Sequence, residues 1–579
     1  MSEKQSKMTP SPEIPERRRR WSRWAPLLLI WLLAAGIRLV LSQSPRTVWG
    51  DEPFYLWLGK NWILGEGYQF MGHPDVHHGP LLPLFSGLLY LVTRDMALAS
   101  EILYVLFGSL LILPIYALGR ELYHRRVGLA AAALIAVFPA LTVAVLHWGT
   151  MTEPLYMFFV YLGLWTGLVA ARLLFSSLQA PEQRMPLRLW PFSLAGLSFG
   201  LAYLTRPEAV GYVVLSGAFF VLVALLCRGL RRGSFWLGIF LYVVGFGIAF
   251  LPYGYYVSRH TGAWMVSEKV GVTYLTGIGL AYGDAAAFDR ATWGLDSTGL
   301  ETFFFSSESY NVSMLELVLA DPKTFAQLVY MNAQRFVRVL IDWTVFPYLL
   351  TPLVVLGLFD QGWTRKRTLQ EAYLLLSVGP ILTFILFFIQ ARYLVAVVPI
   401  LVLWAARGLL SFGDWLVATL RTVWPGGSGS QASRPLRGAW PWILQIAPVI
   451  LVMAGLMLAY PRVHRRVTNV GSFRPAHRIV GQRLTEITSG DTVIMCRYPA
   501  IAFHAQRQWV PTPNASWPEI LRYARHKGAD YFVVDERELA YRPQFDRFVT
   551  GEGLPPQLER VHSSVRGGER IVVYKLIEQ

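Results

Sequence analysis

Ten ionisable side chains stand at the ends of long apolar runs, where charged residues are otherwise rare. They are Asp51, Glu52, His73, Asp75, His77, His78, Glu153, Arg206, Glu208 and Arg392. Charged groups at a bilayer boundary cost free energy and usually have a function there. Carboxylates can accept a proton from a hydroxyl, and arginines present a fork that matches phosphate oxygens. The set therefore predicts a site that combines a general base with phosphate-binding cations.

The acidic pair Asp51 and Glu52 lies between Gly50 and Pro53, at the predicted start of a helix. The free N–H groups and the dipole at a helix start favour negative charge, so one interpretation is a helix cap. The other is a general base within hydrogen-bonding reach of an attacking hydroxyl. The sequence leaves both interpretations open and does not decide which carboxylate would be the base.

Four possible metal ligands, His73, Asp75, His77 and His78, fall within six residues. These residue types bind divalent ions, but their spacing matches no standard metal motif. We therefore expect no required cofactor and regard a divalent metal held by His73, Asp75 and His77 as the alternative.

Two arginines could hold a phosphate: Arg206, in the sequence Leu-Thr-Arg-Pro-Glu, and Arg392, which precedes Tyr393. A guanidinium binds phosphate through two parallel hydrogen bonds. Arginines at helix ends also extend to the interface without any ligand. Neither arginine decides between these interpretations by itself.

The composition is that of a membrane protein: the 579 residues are 54% hydrophobic and only 16% charged, against about 25% in soluble domains. About 20 apolar residues in a helix cross a hydrocarbon core about 30 Å thick. Eleven stretches of about this size predict transmembrane helices: 24–42, 97–118, 127–147, 153–174, 191–205, 209–227, 235–257, 337–358, 371–389, 394–410 and 441–460.

The net charge of +16 is spread over short basic clusters between the apolar stretches. Clusters on alternate sides are typical of orientation in a bilayer, and we predict no nucleic-acid partner. The clusters are Arg17 to Arg20; Arg120, Arg125 and Arg126; Arg172, Arg184 and Arg188; Arg228, Arg231 and Arg232; Arg365, Lys366 and Arg367; and Arg421, Arg434 and Arg437. They predict a cytoplasmic N-terminus and, after eleven crossings, a C-terminal part outside.

Three parts follow: a basic cytoplasmic segment 1–23, a transmembrane domain 24–460 and a soluble domain 461–579. The transmembrane domain has long outer loops at 43–96, with surface helices expected at 53–64 and 80–92, and at 258–336. Strand-like runs 492–496, 531–534 and 570–576 with a helix-like run 517–527 indicate a small extracytoplasmic α/β unit. The Gly/Ser-rich stretch 425–433 is expected to be a flexible cytoplasmic linker.

Five motifs resemble, in the same order, those of the GT-C membrane glycosyltransferases, in particular the group of protein O-mannosyltransferases and the lipid A aminoarabinose transferase. They are Gly50-Asp51-Glu52 with Tyr55; His77-His78-Gly79-Pro80-Leu81, in which Gly79 replaces a usual proline; Met151-Thr152-Glu153-Pro154; Leu204-Thr205-Arg206-Pro207; and Gln390-Ala391-Arg392-Tyr393-Leu394 through Pro399. The resemblance covers about the first 410 residues.

The resemblance implies an inverting enzyme that transfers a hexosyl- or pentosyl-type sugar from a polyprenyl phosphate. Asp51 would be the base, Glu52 and Glu153 would assist in positioning, and His78, Arg206, Arg392 and Tyr393 would bind the donor phosphate. The acceptor would be a lipid, a protein or a glycan at the outer face of the cell membrane. A multipass transporter or flippase is the alternative, although the middles of the spans carry almost no charge.

Overall fold

The computed structural model of the chain describes residues 16–179, 188–227, 229–423, 440–469, 474–566 and 569–577. The predicted linker 425–433 lies outside these residues, as do Arg184, Arg228, Arg434 and Arg437. For Arg17 to Arg20 the backbone is helical. The predicted class, a helical membrane protein with a small C-terminal α/β unit, is confirmed.

Eight helical segments of the described chain are long and apolar enough to cross a membrane. They are Trp24–Ser42, Met96–Leu122, Glu153–Phe175, Ala209–Leu226, Gly233–Thr261, Arg365–Leu386, Ala391–Val423 and Trp442–Thr468. Each corresponds to one of the eleven predicted stretches, so the sequence pattern located these eight correctly.

The other three predicted stretches are not continuous long helices. The stretch 127–147 is interrupted at Pro139, and 337–358 is interrupted over 341–347, which ends at Pro347, because proline lacks the N–H that a helix interior needs. The stretch 191–205 forms a helix, Trp190–Tyr203, of 14 residues. Residues 127–147 are almost entirely buried inside the protein, which is where a membrane protein tolerates irregular backbone.

The helices of the membrane part follow one another with short connections. They are α1 (Glu16–Ser42), α2 (Glu52–Ile63), α3 (Leu81–Thr93), α4 (Met96–Leu110), α5 (Ile112–Leu122), α6 (Arg125–Val137), α7 (Val143–His147), α8 (Glu153–Gln179), α9 (Trp190–Tyr203), α10 (Ala209–Leu226), α11 (Gly233–Thr261), α12 (Val270–Tyr282), α13 (Ala285–Trp293), α14 (Met314–Ala320), α15 (Pro322–Leu340), α16 (Thr351–Phe359), α17 (Arg365–Leu376), α18 (Gly379–Leu382), α19 (Ala391–Leu394), α20 (Val398–Val423), α21 (Trp440–Leu458) and α22 (Tyr460–Thr468).

The two long loops, 43–96 and 258–336, are built from helices. The expected surface helices at 53–64 and 80–92 are α2 and α3, which pack against each other, and the hairpin of β1 (Gln69–Phe70) and β2 (His73–Pro74) lies between them. The loop 258–336 contains α12 to α14 and most of α15. Both loops therefore have fixed backbones from which side chains can reach a common site.

The C-terminal part forms a five-stranded mixed sheet with helices. Its strands are β3 (Val493–Cys496), β4 (Gln508–Val510), β5 (Tyr531–Asp535), β6 (Leu558–Arg566) and β7 (Glu569–Leu576), and its helices are α23 (Pro475–Ile487), α24 (Pro499–Ala505), α25 (Trp517–His526) and α26 (Asp546–Thr550). The sheet order is β4-β3-β5-β7-β6, with β3 parallel to both neighbours and β7 antiparallel to both of its own. The predicted strands β3, β5 and β7 and the helix α25 are present, and β4 and β6 were not predicted.

Candidate active site

The backbone before α2 is bent so that two acidic side chains diverge. Gly50 has a φ of +65°, and a Cβ atom at this position would lie 2.7 Å from the carbonyl oxygen of Gly149. Glycine is therefore required both by the conformation and by the close approach. The same carbonyl accepts a hydrogen bond of 2.9 Å from the backbone N–H of Glu52. This contact fixes the start of α2 against the turn that leads into α8.

Glu52 is fully buried and its carboxylate is occupied by neighbouring donors. Arg46 donates to both oxygens at 2.8 Å, and the hydroxyl of Ser100 donates to Oε1 at 2.7 Å. Arg46 also donates to Glu101 at 3.0 Å. A carboxylate held by three donors is poorly placed to take a further proton from a substrate, so Glu52 positions α2.

Asp51 differs from its neighbour because its carboxylate is accessible. Its side chain is 47% exposed, makes no helix-capping bond and accepts a 3.1 Å hydrogen bond at Oδ2 from Arg392. Burial alone would raise the pKa of Asp51, but the charges of Arg392, Lys269 and His78 outweigh it and hold the pKa below its ordinary value. Asp51 is therefore an ionised carboxylate with an open side.

Arg392 joins Asp51 to a second group of polar side chains. Its Nε donates to Gln390 at 2.9 Å and its Nη2 donates to the hydroxyl of Tyr393 at 3.2 Å. Two guanidinium groups lie near the ring of Tyr393, that of Arg392 at 5.1 Å and that of Arg206 at 5.2 Å from the ring centroid. The aromatic face thus holds two cations close together, which alone would repel each other.

Glu153 and Arg206 complete this group. Glu153 is fully buried at the start of α8, accepts from the hydroxyl of Thr150 at 2.7 Å and lies 3.3 Å from Nη1 of Arg206. Arg206 also donates to Glu208 at 2.5 Å and lies over the ring of Tyr156. The structure therefore brings Asp51, Arg392, Tyr393, Arg206 and Glu153 into one continuous set of contacts.

His78 lies beside this set, paired with Asp75. Asp75 accepts a hydrogen bond of 3.0 Å from Nδ1 of His78 and another of 2.8 Å from its backbone N–H. Burial lowers the pKa of His78 despite the opposing charge of Asp75, and the histidine in turn lowers the pKa of Asp75 to about 2. In the free protein His78 is therefore a neutral imidazole near pH 7, with its edge toward the ring of Tyr55 at 4.9 Å.

Gly79, in the His-His-Gly-Pro-Leu motif, lies where a larger residue would not fit. A Cβ atom on Gly79 would lie 2.6 Å from the carbonyl oxygen of Leu204 and 2.8 Å from that of Thr205. The backbone N–H of Leu81 also donates to the oxygen of Leu204 at 3.0 Å. This close approach joins the histidine motif to the segment that carries Arg206.

The three residues proposed for a metal point to different partners. His73 is exposed and lies 3.4 Å from Glu301, His77 lies 3.2 Å from Glu268, and Asp75 is bound to His78. Among the described residues, no group of three or more His, Cys, Asp or Glu side chains is arranged to hold a metal ion.

Several site residues were not predicted from the sequence. Arg46 lies in a short irregular segment, and Lys269 comes from the loop 258–336, yet its charge acts on both Asp51 and His78. Its neighbour Glu268 lines a cavity of about 560 Å³ that is otherwise mostly apolar. The adjacent charged residues Glu268 and Lys269, next to an apolar helix, are the sequence feature that could have indicated that this loop contributes to the site.

An apolar cavity lies next to the polar site, on the far side of Glu268. Its lining includes Met265, Val270, Tyr310, Val312, Leu315 and Phe325. Glu268 and Tyr310 also contact His77, so one wall separates the cavity from the histidine motif. Leu315 is 68% exposed, which leaves apolar surface at the rim.

Two solved structures share the arrangement of this chain. The archaeal oligosaccharyltransferase AglB from Archaeoglobus fulgidus, in complex with an inhibitory peptide and a dolichol-phosphate, matches with a TM-score of 0.56 and 16% identity over 90% of this chain and 70% of that one. ArnT from Cupriavidus metallidurans, in the apo state, matches with a TM-score of 0.52 and 14% identity over 97% of this chain and 98% of that one. The chain thus has the fold of the GT-C glycosyltransferases, as its motifs predicted.

A more particular likeness comes from the sequence. Residues 77–253 match the family model described as dolichyl-phosphate-mannose-protein mannosyltransferase. No curated protein matches the sequence. The matched region includes His78, Glu153 and Arg206, whereas Asp51 and Arg392 lie outside it. The contacts link Asp51, Arg392, Arg206 and Glu153, so the site spans more of the chain than the matched region.

Proposed function

We propose that the protein is an inverting glycosyltransferase that moves a sugar from a polyprenyl-phosphate donor to a lipid, protein or glycan acceptor. The observation that carries this proposal is the pair formed by Asp51 and Arg392. An accessible, ionised carboxylate lies 3.1 Å from a guanidinium, and a second guanidinium, that of Arg206, is held nearby on the ring of Tyr393. A base and a phosphate-binding pair thus lie within the reach of one substrate.

In the proposed reaction, the acceptor hydroxyl attacks the anomeric carbon of the donor from the face opposite the phosphate. Asp51 takes the hydroxyl proton as the new C–O bond forms. The bond between the anomeric carbon and the phosphate oxygen breaks, and its electron pair leaves with the polyprenyl phosphate. Arg392 and Arg206 stabilise the charge that develops on this oxygen, because cations fixed in a water-poor site need no reorganisation.

His78 also contributes to phosphate binding under this proposal. A neutral imidazole whose Nδ1 donates to Asp75 has no N–H left on Nε2 to offer a phosphate oxygen. The approach of a phosphate raises the pKa of His78, so the histidine takes up a proton and becomes a donor. Donor binding is then coupled to the uptake of a proton.

The apolar cavity beside Glu268 supports a lipid-linked substrate. Its volume of about 560 Å³ and its apolar lining suit a hydrocarbon chain, and it adjoins the polar site through Glu268 and Lys269. AglB, which has a similar fold, was solved in complex with a dolichol-phosphate, a lipid phosphate of the polyprenyl type. A donor embedded in the bilayer would reach the site without a soluble nucleotide-sugar pocket.

We place the site at the outer face of the cell membrane. Asp51, Glu153 and Arg392 belong to the set of contacts described above. The basic residues Arg120 and Arg125 lie at the opposite end of the span Met96–Leu122, where α5 ends and α6 begins. Positive charge is concentrated on the cytoplasmic side of membrane proteins. By this rule the carboxylate site faces outward, to the exterior or the periplasm.

We propose that no metal is required. The phosphate charge is met by Arg206, Arg392 and His78, which could take the place of a divalent ion. Transfer should therefore persist in a chelator, and a loss that added Mg²⁺ or Mn²⁺ restores would contradict this part of the proposal.

The test is to incubate the purified protein in lipid with labelled polyprenyl-phosphate mannose, glucose and aminoarabinose in turn, together with a membrane extract. We expect covalent transfer of label from one donor into the lipid, protein or glycan fraction, with inversion at the anomeric carbon. Binding of all three donors without any transfer would overturn the proposal. Movement of intact donor across the bilayer would instead support a transporter.

A further inference from the structure

The segment that carries Asp51 is anchored by the C-terminal domain as well as by the membrane helices. Residues 45–49 have no regular secondary structure, so their backbone groups need partners from elsewhere. Val48 is 1% exposed, and its backbone N–H donates to Nε2 of His504 at 3.1 Å. Val48 is only three residues before Asp51.

His504 is held firmly enough to act as such a partner. It lies near the end of α24, which packs against α23 at Gly481, where a Cβ atom would lie 2.5 Å from the carbonyl oxygen of Ile501 and 2.8 Å from Cβ of His504. Burial, followed by the charge of Arg478, lowers the pKa of His504 to about 4. The imidazole is therefore neutral near pH 7, and its Nε2 can accept the hydrogen bond.

Aromatic contacts reinforce the same connection. Phe503 lies 5.7 Å from the ring of Trp57, and Trp509 lies 5.2 Å from the ring of Phe54, which is the third residue after Asp51. The C-terminal domain thus contacts the catalytic segment both before and after the carboxylate. These contacts fix the segment on both sides of Asp51.

We propose that His504 is a positioning residue, which holds the backbone at Val48 and thereby aims the Asp51 carboxylate at the acceptor. This inference rests on the proposed function. It gives the C-terminal domain a part in the chemical step, since a reacting group displaced by about 1 Å can cost up to about 100-fold in rate.

The experiment compares His504→Gln with His504→Asn and His504→Phe in the full-length protein. The amide oxygen of glutamine reaches about as far from Cα as the imidazole Nε2, whereas that of asparagine is one bond shorter. We expect His504→Gln to keep most of the activity, and the other two to lose about 10- to 100-fold in kcat with a nearly unchanged KM for the donor. The matched control is His526→Phe, because His526 is an exposed histidine of the same domain.

Hydrogen exchange gives a readout that does not depend on activity. We expect the peptide that contains Val48 to exchange faster in His504→Asn and His504→Phe, but not in His504→Gln or His526→Phe. If wild-type protein transfers no sugar, the proposed function fails and the exchange data still test the anchor. If wild-type protein is active and His504→Asn has unchanged exchange or unchanged kcat, the positioning role is overturned.

Discussion

Two networks of charged side chains occupy the helix bundle, one around Arg392 and the other around Arg407. Both arginines belong to the segment Ala391–Val423, and 15 residues of helix separate them by about 22 Å. We call the network around Arg392 the upper network and the network around Arg407 the lower network. The lower network includes Glu371, whose two oxygens each accept a 2.8 Å hydrogen bond, one from Tyr123 and one from Trp404. Similar residue types are thus used at two depths of the same bundle.

The two networks differ in how completely their carboxylates are satisfied. Asp360, in the lower network, lies 2.7 Å from Arg407 through Oδ1 and accepts from Ser411 through Oδ2. Within the described part of the chain, Asp51 has a hydrogen bond only at Oδ2 and remains 47% exposed. A satisfied network stabilises the fold, whereas an open carboxylate beside two cations can bind and react.

Among the basic side chains, the largest effect that separates the networks should come from the arginines of the upper one. We expect Arg392→Ala or Arg206→Ala to lower kcat/KM for the donor by about 10²- to 10³-fold, because one preorganised donor at a developing negative charge contributes about that much. The measurement is transfer kinetics at several donor concentrations. Unchanged donor dependence would mean that these arginines only extend to the membrane interface.

The matched change in the lower network should act on stability instead. Arg407→Ala removes the 2.7 Å contact to Asp360, which keeps a 3.4 Å contact to Arg367, and the loss of one hydrogen bond between charged groups costs about 1.5–3 kcal/mol. We expect a lower free energy of unfolding for the variant in detergent, with kcat/KM of the folded fraction close to that of the wild type. A specific loss of donor use would show that the lower network is not purely structural.

The smallest expected effect concerns pH. The pKa of free His78 is lowered by burial, and a bound phosphate raises it, so donor affinity should fall as the pH rises. One proton limits the change to about tenfold per pH unit. Titration of donor binding between pH 5 and 9 checks this, and His78→Gln should remove the slope. A wild-type affinity independent of pH would exclude proton uptake by His78.

The sequence predicted the elements that depend on local pattern. Eight long apolar runs form helices long enough to span a membrane, and the structure joins the acidic and arginine motifs in one set of contacts. The break in the stretch 127–147 was not predicted, because apolarity does not distinguish a continuous lipid-facing helix from a segment buried inside a bundle. In this stretch, burial among neighbouring helices allows the helix to break at Pro139, and the periodicity of the sequence does not show that burial.

Contacts between distant segments were beyond the sequence. Glu52 and Asp51 are adjacent and chemically equivalent, and only the donors Arg46 and Ser100 show that Glu52 is occupied. Lys269 likewise gains its relevance from the folding of the loop 258–336 onto the site. The assignment of the base thus depends on tertiary structure, as does the link from His504 to Val48.

The most direct test of the account is single-turnover transfer by Asp51→Asn, with donor binding measured in parallel. Loss of a general base should slow the chemical step by about 10²- to 10⁴-fold while the donor still binds. Asp95→Asn is the matched control, because Asp95 is an exposed aspartate that caps α4 and asparagine caps equally well. A transfer rate for Asp51→Asn close to that of the wild type would contradict the central claim that this carboxylate takes the acceptor proton.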